Sequence, residues 1–211
     1  MSADRFELIE TPMAGLHLIQ RAVLGDQRGS LSRLFCPDDL AVFGWQWPVA
    51  QVNHSYSRQR GTVRGLHMQL PPHSEAKLVT CLRGAVWDVA VDLRAGSATF
   101  LQWHGVRLSA ENACSYLIPP GFAHGFQTLT DEAELLYCHS HPYIAEAEFG
   151  VHYREPQLEI PWPMPVTETS RKDRHYPYLP QEFTGFNYEM PPRSEEHTSE
   201  LQSRLHLVCR L

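Results

Sequence analysis

Ten short β-forming runs follow one another almost without helix between them, and this succession limits the possible fold more than anything else in the chain. The runs are Leu16–Arg21, Ser30–Phe35, Val49–Ser57, Thr62–Gln69, Ala76–Arg83, Ala85–Asp92, Thr99–Leu108, Ser115–Ile118, His124–Leu129 and Glu134–His139. Gly or Pro punctuates many of the intervals, as in strand–turn–strand sequence. The clearest alternation, Val86-Trp-Asp-Val-Ala-Val-Asp92, puts Trp87, Val89 and Val91 on one face. One short helix interrupts the series. Pro37 suits its first turn, Asp38 and Asp39 complement its dipole, and Gly44 stops it. Many short strands at regular spacing describe an all-β sandwich or barrel.

Composition narrows the class further. A chain of 211 residues suffices for one substantial core and barely for two. A net charge of −6 argues against a nucleic-acid partner, and no apolar run approaches membrane-span length. The start, Met1-Ser-Ala-Asp-Arg-Phe-Glu7, lacks the apolar core of a signal peptide, so the cytoplasm is the expected compartment. The five Cys (36, 81, 114, 138 and 209) show no CxxC spacing and read as free thiols, with Cys81 and Cys114 as small core residues. After Pro161-Trp-Pro-Met-Pro165 the chain becomes proline-rich and irregular, with the polar cluster Ser170-Arg-Lys-Asp173 standing out. The expectation is a single domain over residues 1–192 with a C-terminal extension. Residues 193–211 read as the translation of a sequencing adapter with read-through, and carry no weight in fold or site reasoning.

The chemistry concentrates in Gly61-Thr-Val-Arg-Gly-Leu-His-Met-Gln69, the bend Pro71-Pro72, and Glu75-Ala-Lys-Leu-Val79. Strict alternation would point Arg64 and Leu66 one way and Gly65, His67 and Gln69 the other. A base (His67), a fixed cation (Lys77) and an anion clamp (Arg64) so close together suggest proton abstraction beside a carbonyl in an anionic substrate. The alternative is a plain strand with a buried, hydrogen-bonded His and a surface Lys.

The chain resembles the dTDP-4-dehydrorhamnose 3,5-epimerase family over roughly Leu16 to Leu179. The residues that carry the resemblance are Asp26-Gln-Arg-Gly29, Gln51-Val-Asn53, Gly61–Gln69, Lys77-Leu-Val79, Arg83–Arg94, Pro120-Gly-Phe-Ala-His-Gly-Phe126, Tyr137, Tyr143, Ile160-Pro-Trp162 and Ser170-Arg-Lys-Asp173. It implies a cupin-type jelly roll, a homodimer, a nucleotide-sugar substrate, and no metal or organic cofactor. It implies double inversion beside the C4 ketone of a dTDP-4-keto-6-deoxyhexose, feeding L-rhamnose and polysaccharide biosynthesis. His67 would be the base, Lys77 the charge at the C4 oxygen, Tyr137 the acid across the ring, and Asp173 the partner of His67. Arg28 and Arg64 would bind the diphosphate, and His124 would line the sugar pocket. Gln51, Asn53 and Tyr143 would meet the nucleotide. Each has a plainer alternative: a loop charge for Asp173, a turn residue for Arg28, a core His for His124, polar strand positions for Gln51 and Asn53, a barrel cap for Tyr143. The N-terminal strand Leu16–Arg21 would be free to pair across the dimer interface.

The chain also departs from the family's pattern. Ser30-Leu-Ser-Arg33 stands where many members carry two aromatics and a Glu, which leaves the preferred base open. An extra residue falls in Ser57-Arg-Gln-Arg60, where a loop should absorb it. Cys138-His-Ser-His-Pro-Tyr143 is unusual too: a continuing strand would put His139 and His141 on Tyr137's face, whereas Pro142 favours a loop for His141. Four other readings stand beside the main one. His67, Glu75 and His124 could form the ligand set of a metal-dependent cupin, although the adjacent Lys77 and Arg64 oppose it. Cys138, His139 and His141 could hold zinc, with no evident fourth ligand. A non-catalytic sugar-nucleotide binding module, or a single-carbon epimerase, completes the set.

Overall fold

Outside the exposed β3–β4 hairpin, the β-forming runs become strands because their apolar residues can be covered on one face or on both. The structure, a computed structural model, describes residues 5–188; the expected tail and Cys209 lie outside the described residues. In chain order the strands are β1 (Phe6–Glu10), β2 (His17–Arg21), β3 (Val23–Asp26), β4 (Gly29–Ser32), β5 (Gln51–Ser57), β6 (Thr62–Gln69) and β7 (Lys77–Arg83). They continue with β8 (Ala85–Asp92), β9 (Trp103–Ser109), β10 (Cys114–Ile118), β11 (Phe122–Thr128), β12 (Ala133–His139), β13 (Glu148–Gly150) and β14 (Glu168–Thr169). The helix α1 spans Pro37–Ala41, with Gly44 just beyond it at φ 100°.

Two sheets pack face to face as a jelly roll. One has the order β1-β2-β10-β7-β12-β5, the other β13-β6-β11-β8-β9 with β14 also on β6. Every pairing is antiparallel except β14 on β6. Val79, Tyr116 and Ile118 from the first sheet meet Val86, Ala90, Phe122 and Phe126 from the second in the central core. The outer faces are covered as well. Leu78, Leu117 and Cys138 pack under α1 and Trp45, while Leu66, Val89, Val91 and Ala123 lie beneath the C-terminal segment through Leu158, Trp162 and Leu179. The proline-rich extension is thus the cover of a sheet. Cys81 and Cys114 are buried, and burial pushes the Cys81 thiol up to about 11.

Several boundaries differ from the sequence reading. Thr99 does not open a strand: it and Ser97 turn back to donate hydroxyl hydrogen bonds to the buried Asp92, so β9 starts at Trp103. The run Ser30–Phe35 stops at Ser32, because Phe35 turns to pack edge-on against Trp45. The short strands β1, β3, β13 and β14 give too few residues for alternation to register. The extra residue before Arg64 is absorbed in the loop between β5 and β6. The expected free strand at Leu16–Arg21 is not free, since β2 is hydrogen-bonded to β1 on one side and β10 on the other. The outer strands of that sheet are β1 and β5.

The alternation expected along β6 also fails, with consequences for the site. His67 pairs with His124, but Arg64 pairs with Phe126, so two residues of β6 face one of β11. This bulge restores Arg64 to the side occupied by His67. Gly65, at φ 123°, lies so close to β11 that an added Cβ would stand 2.5 Å from Gly125 Cα. Gly65→Ala therefore combines a left-handed backbone with a backbone clash. It should cost about 2–4 kcal/mol, read as a lowered urea midpoint; an unchanged midpoint would contradict the close packing.

Candidate active site

A cavity of about 680 Å³ opens between the two sheets. The structure gathers His67, Lys77, Tyr137, Asp173, Gln51, Asn53, Arg64, His124 and Tyr143 around it. The two walls are chemically different. Arg64, His67 and His124 come from β6 and β11 of one sheet, whereas Gln51, Asn53, Lys77 and Tyr137 come from β5, β7 and β12 of the other.

His67 is half-buried, and its Nε2–H donates to Asp173 Oδ1 at 2.7 Å. That bond leaves Nδ1 as the nitrogen with a free lone pair. Asp173 arrives from the C-terminal cover, where Ser170 Oγ accepts from its backbone N–H and the Gly65 backbone N–H donates to its Oδ2. Burial alone would raise the Asp173 carboxyl. The hydrogen bond and charge of His67, with the Gly65 and Ser170 contacts, outweigh it and hold the group below the usual carboxylate range. The Tyr176 ring stands edge-on to His67 at 5.5 Å.

Lys77 is buried and donates to the His67 carbonyl at 3.0 Å while pairing with the buried Glu75 at 3.0 Å. An ammonium has three N–H bonds, so one remains for the cavity. Glu75 also accepts from the Gln69 backbone N–H. Gln69 in turn braces the 140s loop, its Nε2 donating to the Pro142 carbonyl and its Oε1 accepting from the Ile144 N–H. On the neighbouring strand His124 Nε2 donates to Asp88 Oδ1 at 2.8 Å. Asp88 is fully buried, its Oδ2 is unpartnered among the described residues, and burial pushes its carboxyl up against the opposing pull of His124 and Lys77.

Tyr137 projects from the opposite wall with its hydroxyl 3.5 Å from Ser55 Oγ. Burial raises this phenol well above its ordinary pKa, so it is protonated at neutral pH. Arg64 is oriented by Ser57 Oγ and the Tyr56 carbonyl, each 3.0 Å away, and keeps further N–H groups for an anion. At the mouth, Glu148 accepts from Lys172, from the Tyr143 hydroxyl at 2.5 Å and from the Tyr176 hydroxyl.

Other singled-out residues lie elsewhere or hold other bonds. Arg28 does not line the cavity: it is almost fully exposed on the β3–β4 hairpin and folds back onto Asp26 at 2.6 Å. Arg33 also lies away from the cavity, paired with Asp39. The metal-ligand trio is spent on other bonds, His67 on Asp173, His124 on Asp88 and Glu75 on Lys77. The zinc trio does not converge, because Cys138 faces the apolar layer under α1 while His139 and His141 line the cavity. Among the described residues no three His, Cys, Asp or Glu side chains group as a metal site. Sequence reasoning gave no role to Asp88, Glu148 or Lys172. An Asp inside the apolar run 86–92 was the available signal for Asp88; the other two had none, since they meet only when distant segments fold together.

The Glu148 cluster makes a stability prediction. Burial would raise this carboxyl, but Lys172, Tyr143 and Tyr176 lower it to about 2. An unfolded Glu titrates near ~4.3. A depressed folded pKa means stability that is full above ~4.3 and is lost as pH falls towards 2. Glu148→Gln should therefore flatten the acid limb of the urea-midpoint profile in that window. A variant limb as steep as the parent's would contradict the assignment.

Comparison with known proteins places these features in a lineage. A sequence model of dTDP-4-dehydrorhamnose 3,5-epimerase matches residues 10–181. The dTDP-4-dehydrorhamnose 3,5-epimerase of Sinorhizobium fredii is 41% identical over 177 residues, covering 83% of this chain and 91% of its own. A Legionella pneumophila dTDP-6-deoxy-D-glucose-3,5-epimerase, solved in complex with dTDP-4-keto-L-rhamnose, superposes with a TM-score of 0.81 at 39% identity, covering 88% of this chain and all of that one. A dTDP-4-dehydrorhamnose 3-epimerase of Streptomyces niveus is 44% identical over 150 residues, 71% of this chain and 72% of its own.

Proposed function

The chain belongs to the dTDP-4-dehydrorhamnose 3,5-epimerase family, and from that membership we propose that it inverts C3 and C5 of dTDP-4-dehydro-6-deoxy-D-glucose, giving dTDP-4-dehydro-L-rhamnose. The observation that carries this reading is the placement of a His–Asp pair and a protonated Tyr on opposite walls of one cavity. Inversion needs that two-sidedness. The proton leaves from one face of the sugar and a proton returns to the other.

His67 Nδ1 takes the proton from the carbon beside the ketone. The C–H electron pair moves into the C–C bond, and the carbonyl pair moves onto the C4 oxygen. Lys77, with one N–H free, faces that oxyanion, and its pairing with Glu75 costs nothing further as charge develops. Asp173 stabilises the resulting imidazolium and keeps the ring in register. Tyr137 then protonates the carbanion from the far wall and is left as a phenolate. His67 holds one extra proton and Tyr137 lacks one, so exchange with solvent resets both. Arg64 binds the diphosphate with its remaining N–H groups. His124 lines the sugar pocket, and Gln51, Asn53 and Tyr143 meet the nucleotide.

The active unit is a homodimer. The β3–β4 hairpin pairs with neither sheet and holds Val23, Leu24 and Leu31 in solvent, apolar area that a second copy would bury. Arg28, near the tip of that hairpin, would then reach the diphosphate in the partner's cavity. No helix among the described residues is long and apolar enough to cross a membrane. A second reading, inversion at a single carbon, is favoured by the similarity to the Streptomyces niveus 3-epimerase.

Incubation with dTDP-4-keto-6-deoxyglucose in heavy water should add two deuteriums with inversion at both carbons. One deuterium would select the second reading, and none would overturn both. His67→Ala should abolish exchange, whereas Tyr137→Phe should retain part of the exchange and lose inversion by about 10²-fold or more. An unchanged product ratio in Tyr137→Phe would remove it from the acid role. Arg28→Ala should raise KM by about tenfold or more while sedimentation still reports a dimer; a monomeric parent would end the shared-site reading.

A further inference from the structure

His139 lines the cavity but has no part in the reaction as described above. It lies two residues past Tyr137 on β12, so the two side chains share a face. Their rings are 6.0 Å apart and nearly parallel, at 20°. The His124 ring stands 6.1 Å from Tyr137 at 68°. The phenol is therefore in contact with two imidazoles, one stacked and one edge-on.

The proton on His139 can be traced from a backbone amide, which can only donate. The Tyr143 N–H donates to Gln51 Oε1 at 2.9 Å. Gln51 is thereby oriented so that its Nε2 donates to Asn53 Oδ1, also at 2.9 Å. With its oxygen turned to Gln51, Asn53 presents Nδ2 to His139 Nε2 at 3.4 Å. An amide NH₂ offers hydrogens and accepts none. His139 Nε2 must then carry the lone pair, and the ring proton sits on Nδ1. The charged and titratable neighbours agree: burial, then the Lys77 ammonium from the adjoining strand β7, push the ring's pKa down to about 4, with Glu75 opposing and His124 adding slightly.

We propose that His139 is a positioning residue for Tyr137: a neutral Nδ1–H imidazole, locked by the Tyr143–Gln51–Asn53 relay, that fixes the plane from which the phenol delivers its proton. Neutrality matters because a cation stacked on the phenol would favour phenolate and empty the acid before use. This role rests on the reading of Tyr137 as the acid. It also ties the base-contacting side chains to the chemistry, since a nucleotide that re-orients Gln51 or Asn53 alters what His139 can accept.

Two measurements test it on the full chain. Imidazole ¹⁵N spectra, assigned with His139→Gln, should show His139 with a bare Nε2 and a protonated Nδ1 from about pH 5.5 to 8. A protonated Nε2, or titration inside that range, would overturn the proposal without touching the epimerase reading. The heavy-water assay then compares His139→Ala and His139→Phe. The Ala variant should lose inversion relative to deuterium wash-in by about tenfold, and Phe, which restores a flat ring, should recover most of that ratio. If the parent inverts and both variants keep its ratio, His139 has no positioning role. If the parent exchanges nothing, the functional reading fails instead. Should the Ala variant not fold, the Phe variant and the parent's spectra decide.

Discussion

The site depends on a contact between two strands that carry no side chain where they touch. Gly65 and Gly125 let β6 and β11 approach so closely that a methyl group on either would collide with the other's backbone. At this point β6 carries one residue more than β11, and the pleat parity changes. Without that change Arg64 and His67 would look out of opposite faces of the sheet. With it, both address the same cavity, and His124 on β11 joins them.

Charge in the cavity is kept in pairs. Lys77 lies against Glu75, His67 against Asp173, His124 against Asp88 and Lys172 against Glu148. The fully buried pairs, Lys77–Glu75 and His124–Asp88, seldom add net stability, because desolvation offsets their attraction. Their value lies in fixed direction. Each carboxylate takes one donor of its partner and leaves the partner's other donors or lone pair unengaged by it. Glu75 also accepts from the Gln69 backbone, so the cavity-lining Lys77 and the loop bearing Tyr143 are braced through neighbouring atoms of β6. The arrangement is preorganised, which is what a developing enolate charge requires.

How far this was legible in the sequence differs by level. The long strands were readable, because alternation over seven or eight residues survives in β7, β8 and β12. The covering of both sheet faces was partly readable, since Trp87, Val89 and Val91 alternate with a second, mixed face in β8. The bulge was not readable: Arg64-Gly65-Leu66-His67 fits regular alternation perfectly well, and only the partner strand's Gly125 reveals the shift. Asp173 could be singled out but not placed by spacing, because its loop owes its position to Leu158, Trp162 and Leu179 packing on the outer sheet face. Arg28 was singled out too, but in this chain its hairpin stands apart from the cavity, and a sequence does not say which copy a hairpin serves.

The C-terminal cover has a further meaning when the chain is viewed as something made in order. His67 and Asp173 are 106 residues apart, and eight of the fourteen strands are synthesised in the interval. The barrel, Lys77 and Tyr137 all precede the carboxylate that pairs with His67. The His67–Asp173 pair is therefore completed by a segment whose docking also covers an apolar sheet face. Covering the sheet and giving His67 its carboxylate partner become one event.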